Sequence, residues 1–165
     1  WPICGTSAKW SAANVVNDPL DLGEKVRIRI AQAESSAPGS IAEMLSFQFV
    51  SCEGDEIVMT CQTMPWMRNP AGTLHGGLGA TILDQAMGFV AYCLKAGEGI
   101  TPTVHLSADY HRPLRPGERV IVKVHVVSET RNLINLYADV CQASSPERVC
   151  LSGSGIFFLK QSTKA

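Results

Sequence analysis

The stretch "NPAGTLHGGLGATILDQAMG", residues 69–88, sets one carboxylate, Asp84, inside a run of small and apolar side chains. Continued downstream, the run predicts one long helix over residues 74–96. Leu78, Ala80, Ile82, Leu83, Ala86, Met87, Phe89, Val90, Ala91, Tyr92 and Leu94 occupy nearly every face of it. A helix without a polar side is expected to be buried all round. About 20 apolar residues would also span a bilayer. Asp84 and Gln85 at the centre argue against that, because a charge at mid-membrane is costly, and strand-like segments lie on both sides. The expectation is a core helix, with no membrane partner.

Upstream, "MLSFQFVSCEGDEIVMTCQTM" (44–64) is β-rich and breaks at Glu53-Gly54-Asp55, which predicts a hairpin. Downstream, residues 100–112, 118–128, 132–142 and 147–160 read as strands, separated by "PLRPGE", "SETRN" and "ASSPE", which carry turn residues. Before all of these, "NDPLDLGEKVRIRIAQAES" (17–35) predicts an N-terminal helix, capped by Asp18 with Pro19 in its first turn, and 35–40 reads as a linker. Helix, hairpin, core helix and then a run of strands is an α+β order. It predicts a bent antiparallel sheet wrapped around a long central helix, with residues 1–40 as N-terminal helix and linker and 41–165 as a single domain.

With 165 residues and 45% hydrophobic content, the chain suits one globular domain. Fourteen Lys plus Arg against 15 Asp plus Glu give a formal charge of −1, without the basic excess that phosphate neutralisation demands, so no nucleic-acid partner is expected. The six cysteines show no C-x-x-C pair and no zinc-finger histidine spacing; they read as buried thiols in a reducing, cytoplasmic setting, and no metal site is expected. "WPICGTSAKW" shows no basic patch ahead of an apolar h-region, so no secretory signal is expected there.

The order Asn69-x-x-Gly72-Thr73-Leu74-His75-Gly76-Gly77, followed by Asp84, resembles the signature of the hotdog-fold acyl-CoA thioesterases, in the branch that includes the phenylacetate-pathway type. "YHRPLRPGE" (110–118) is similar to that family's second landmark, an aromatic-x-x-Pro turn leading into a strand. The resemblance covers about residues 44–160. It implies a hotdog fold, thioester hydrolysis and four carried-over catalytic positions: Asn69 and Gly76 around the carbonyl and water, Asp84 as the catalytic carboxylate, and Thr103 as a hydroxyl beside it. It also implies an acyl-CoA substrate without a separate cofactor, since coenzyme A enters as part of the substrate, and assembly as a homodimer or a dimer of dimers. Candidate substrate contacts are expected at His75, Gly77, Arg112, Arg115, Arg131 and Asn132. The family commonly has a glycine in the turn that here reads Thr130-Arg131-Asn132, so Thr130 departs from the pattern.

Physical chemistry reads the same residues independently. Gly76 stands where loop becomes helix, so its N–H is an orphan donor at the positive end of the helix dipole, suited to an oxyanion. Gly76 and Gly77 lack the Cβ atoms that would hold an acyl group off the backbone. A carboxylate in an apolar helix needs partners or a raised pKa; as a functional group Asp84 would activate water or attack the carbonyl itself. Gly76 and Asp84 are eight residues apart, about 12 Å along one helix, and cannot both touch one thioester carbon. If both serve one reaction, Asp84 meets Gly76 of a second copy, the helices running antiparallel about a twofold axis.

Along "TVHLSADYH" (103–111), Thr103, His105, Ser107, Asp109 and His111 alternate with apolar residues, predicting one strand with a solvent-facing polar side, Thr103 alone being expected near Asp84. Arg112, Arg115 and Arg131 at strand ends could pair with CoA phosphates. His75 reads as a loop-fixing hydrogen bonder rather than a base. "GLGATI" (77–82) is an incomplete dinucleotide fingerprint, "LSGSG" (151–155) lacks the first glycine of a nucleophile elbow, and the histidines lack H-E-x-x-H spacing. Two rivals remain: a hotdog hydratase or dehydratase, for which no "HFPxxP"-like segment is present, and a non-catalytic acyl-CoA-binding protein. A DNA-reading sensor would need a helix pair where the first 40 residues offer one helix.

Overall fold

The computed structural model describes residues 21–36, 38–94 and 100–159. Its central element is the expected long helix, α3 (Gly76–Leu94), with residues 95 and 96 of the predicted span outside the described residues. Ahead of it come α1 (Leu22–Ser36), α2 (Ile41–Leu45), β1 (Gln48–Glu53) and β2 (Glu56–Gln62). After it come β3 (Thr103–Leu106), β4 (Asp109–Tyr110), β5 (Arg119–Glu129), β6 (Leu133–Gln142) and β7 (Val149–Phe158). The antiparallel sheet runs β1-β2-β5-β6-β7-β3, with β4 also on β7. It is the hotdog arrangement: a sheet wrapped around one helix.

Three local expectations need correction. Asp18 and Pro19 lie outside the described residues; within them α1 starts at Leu22, and the Asp21 carboxylate caps it by accepting the Glu24 N–H at 2.8 Å. Met44 and Leu45 are helical rather than β, because Ser40 caps α2 by accepting the Glu43 N–H while Ser46, at φ 44°, closes it with its N–H on Ala42 and Glu43 carbonyls. The third is the 103–111 run, which splits into β3 and β4. Ser107 bonds to Ser154, N–H to carbonyl at 2.9 Å and hydroxyl to hydroxyl at 2.8 Å, and its own carbonyl sits against Gly153. Thr103, Val104 and His105 are all exposed, so alternation there does not sort buried from solvent-facing residues. β3 is an edge strand whose outer side has no partner among the described residues, and edges do not need a buried face.

The core gathers Ile57, Met59, Val122, Val124, Leu136 and Phe157 from the sheet with Ile82, Leu83, Ala86, Met87 and Val90 from α3, all fully buried or nearly so. Val26, Ile30 and Ala33, at helical spacing, press α1 onto the same core. Phe47 meets Phe89 edge-on, ring centroids 5.5 Å apart. Burial pushes the Cys61 and Cys93 thiols up to about 12, in keeping with packing roles. Cys52 is only half-buried, and Cys4 lies outside the described residues.

α3 is not covered on every side, as its composition had suggested. Thr81, Asp84, Gln85, Gly88 and Tyr92 form a half-buried stripe on its outer face. The inner face lies along β7, where glycines permit the approach: Gly79 against Leu151, Gly153 against Leu83, Gly155 against Met87. Eight helix residues advance about 12 Å and four strand residues about 13 Å, so helix and strand stay in step from Leu151 to Gly155.

The glycines are unequal. A Cβ on Gly153 would sit 2.3 Å from the Ser107 carbonyl oxygen and 2.8 Å from Leu83, whereas one on Gly88 would meet only Phe157 at 3.8 Å. Gly153→Ala should therefore destabilise the fold by about 2 kcal/mol or more, as over-packing does. Gly88→Ala should raise stability by about 0.5–1 kcal/mol through helix propensity. Denaturant melts of both variants check the contrast.

Candidate active site

Two groups of polar residues sit at opposite ends of the β7–α3 pair. Tyr110 pairs with Leu151 and Thr103 with Phe157, six residues further along β7, about 20 Å away.

The first group surrounds the start of α3. Asn69 closes its loop: its Nδ2 donates to Thr73 Oγ1 at 2.8 Å, its Oδ1 accepts the Thr73 N–H at 3.1 Å, and Gly72 takes the φ of +81° that the turn needs. His75 then caps the helix. Its Nδ1 accepts the Gly77 N–H at 3.1 Å, which leaves the ring proton on Nε2, and its carbonyl accepts the Leu78 and Gly79 N–H groups. For the Gly76 N–H there is no acceptor among the described residues. The Tyr110 hydroxyl donates to the Gly76 carbonyl at 2.6 Å. A cavity of about 330 Å³ opens here, lined by Asn69, Gly76, Tyr110, Arg112 and neighbouring residues. Arg112 is anchored through Nη1 on the Val149 carbonyl at 2.7 Å.

The second group lies on the outer stripe of α3, where the Thr103 hydroxyl donates to Asp84 Oδ1 at 2.7 Å. Thr103 enters β3 at the edge of the sheet, and Asp84 is half-buried rather than sealed in the core. Arg131 and Asn132 belong to this end, in the β5–β6 turn beside the Leu133–Phe158 pair; the Asn132 carbonyl accepts the Leu159 N–H at 2.7 Å. Thr130 explains how this turn dispenses with glycine: its Oγ1 accepts the Leu133 N–H at 3.0 Å and closes the loop with a side chain. Arg115 does not line this cavity; it is exposed and 3.6 Å from Glu118. His75 and Gly77 flank the helix start without lining the cavity.

Two contributors escaped the sequence reading. Tyr110 stood out only as a landmark before a proline, and nothing local says that β4 lays it over Gly76. His111, expected to face solvent, has its Nε2 2.7 Å from the hydroxyl of the buried Ser152, tying the loop after β4 to β7. No group of three or more His, Cys, Asp or Glu side chains suited to a metal occurs among the described residues.

The thioesterase superfamily sequence model matches residues 71–148. Over that span, just under half of its length, the chain is similar to the thioesterase superfamily. It is 26% identical over 97 residues to mouse acyl-coenzyme A thioesterase 13, spanning 58% of this chain and 68% of that one. Zebrafish thioesterase superfamily member 2 superposes with a TM-score of 0.70 at 22% identity, over 86% of this chain and 99% of that one. The Escherichia coli PaaI protein of the phenylacetic acid degradation operon superposes with a TM-score of 0.70 at 16% identity, over 87% and 99%. These matches support a thioester hydrolase, as the sequence implied, and the matched region contains both polar groups apart from Asn69.

Removing the Tyr110 hydroxyl tests how the helix start is held. Tyr110→Phe should fold with a stability loss of about 1 kcal/mol, the usual cost of one hydrogen bond, read from urea melts.

Proposed function

We propose that the chain hydrolyses acyl-coenzyme A thioesters to a carboxylic acid and free CoA, at a site shared between two copies. The observation that carries this reading is the Thr103–Asp84 pair on the uncovered stripe of α3, next to an edge strand with Val104 60% exposed. A mid-helix carboxylate and a backbone N–H at the helix start, without an acceptor among the described residues, suit a single reaction only when a second helix runs antiparallel beside the first.

In that arrangement Gly76 of one copy faces Asp84 of the other. The thioester carbonyl oxygen approaches the Gly76 N–H, where the helix dipole and the donor stabilise negative charge as the tetrahedral intermediate forms. Thr103 holds one carboxylate oxygen of Asp84, leaving the other to take a proton from water or to attack the carbonyl. Either route expels the CoA thiolate, which gains a proton. The second route adds an anhydride that water then opens. Arg112 near the Gly76 end and Arg131 near the Asp84 end are then brought to the same site, as suits a nucleotide with several phosphates. CoA arrives with the substrate, so the reaction needs no resident cofactor. Edge-to-edge pairing of β3 makes the dimer, and a dimer of dimers is the larger assembly we assign. The thiols among the described residues are free, and we assign the enzyme to the cytoplasm.

A panel of acyl-CoAs followed by thiol release tests the activity; tight binding without release would make the chain an acyl-CoA-binding protein instead. Asp84→Asn should keep the fold and lower kcat by about a hundredfold or more. Near wild-type turnover would remove Asp84 from the chemistry.

Complementation tests the shared site. Gly76→Ala is sterically admissible, since its Cβ would lie 3.5 Å from the Tyr110 ring. Asp84→Asn and Gly76→Ala chains refolded together in equal amounts should regain roughly a quarter of wild-type sites. About half the dimers are then mixed, each with one intact site and one carrying both lesions. Absence of recovery in verified heterodimers means that each chain builds its own site.

A further inference from the structure

The outer stripe of α3 continues past Asp84 into a second cavity, of about 530 Å³, within the range of small-molecule sites. Gly88, one helical turn beyond Asp84, and Pro102, immediately before Thr103, both line it, so its near end adjoins the carboxylate. Phe89 and Tyr92 of α3 and Ile41 of α2 give it apolar walls, and Arg29 of α1 lines it as well. The Arg29 guanidinium stacks over Tyr92, 4.1 Å from the ring centroid.

Arg29 differs from its neighbour on the same helix. Arg27 is exposed and bonded to Glu24 at 2.8 Å, whereas Arg29 is half-buried with no carboxylate partner among the described residues. Stacking occupies a face of the guanidinium and leaves its in-plane N–H donors available. An apolar cavity that starts at a carboxylate and holds a guanidinium with no carboxylate partner among the described residues suits a ligand with an apolar stem and an anionic end. From Asp84 to Tyr92 is eight residues, about 12 Å. An extended chain advancing about 1.2 Å per bond covers that with about ten atoms.

Resting on the acyl-CoA thioesterase reading above, we propose that this cavity receives the acyl group and that Arg29 selects medium-length acyl chains ending in a carboxylate. Arg29 lies outside residues 71–148, so the preference comes from this chain's own N-terminal helix rather than from the matched superfamily region. Arg29 acts on specificity and takes no part in bond breaking.

The experiment compares octanoyl-CoA with its ω-carboxy counterpart, the mono-CoA thioester of octanedioic acid, on the full chain. Wild type should favour the carboxylated thioester in kcat/KM, and Arg29→Met should cut that preference by about tenfold or more, the scale of one charge-assisted hydrogen bond. The change should fall on KM for the carboxylated substrate alone, with Arg29→Lys restoring part of it. If Arg29 only clamps α1 to α3, Arg29→Met lowers Tm and both substrates suffer equally; that result overturns the proposal, as does wild-type preference for octanoyl-CoA. Calorimetric binding of both thioesters to Asp84→Asn reads the preference without turnover. Carboxylate-selective binding that Arg29→Met abolishes supports the pocket even if no thioester is cleaved, and equal binding overturns it even if hydrolysis is confirmed.

Discussion

The close approach of α3 to β7 is the constraint on which the rest depends. It requires glycine at 153, where even a methyl group would collide with the Ser107 carbonyl, and that same carbonyl divides the edge strand into β3 and β4. Two placements follow from the division. β4 carries Tyr110 over the start of α3, and β3 carries Thr103 to Asp84. One packing contact in the core thus sets both polar groups, and the matched advance of helix and strand keeps them about 20 Å apart along β7.

That separation gives the outer stripe of α3 its meaning. In a single chain the stripe leaves Asp84, Gln85 and Gly88 half-covered beside a sheet edge that exposes Ile100 and Val104. Exposed edges with apolar side chains invite pairing. On the twofold arrangement proposed above, the same event that covers the stripe brings the carboxylate to the unpaired Gly76 N–H. Assembly and catalysis would then share one interface, and the helix carries its mid-length charge on the half-buried outer face instead of in the dry core.

The sequence disclosed the helix because small and apolar residues persist through nearly twenty positions, and disclosed the strands because turn residues separate them cleanly. It also disclosed the start of α3 at the glycine pair and singled out Asp84 midway along it as the one charge in the run. Burial on all sides was the wrong inference from composition: Thr81, Gln85 and Gly88 are small or neutral enough to look like core, and only the sheet's edge shows which face stays open. The break at Ser107 was illegible because its cause, Gly153, lies 46 residues away along the chain. Tyr110 and Arg29 escaped for the same reason. Their partners, Gly76 and Tyr92, are remote in sequence, and no local pattern marks a tyrosine as a helix anchor or an arginine as stacked on a cavity wall.

The arginine on α1 illustrates a further consequence of building on one helix. The inner face of α3 is committed to β7 and its start is committed to the His75 cap and the Tyr110 bond, so neither can vary without moving Asp84. The C-terminal half of the outer stripe carries no such obligation. α1 and α2 line the adjoining cavity there through Arg29, Ala33 and Ile41, and they can change its walls and charge while Asp84 and Thr103 stay in place. On the acyl-pocket proposal, substrate choice is then most free to diverge at the N-terminal helices, which lie outside the region that matches the superfamily, and least free along the strand that the helix must touch.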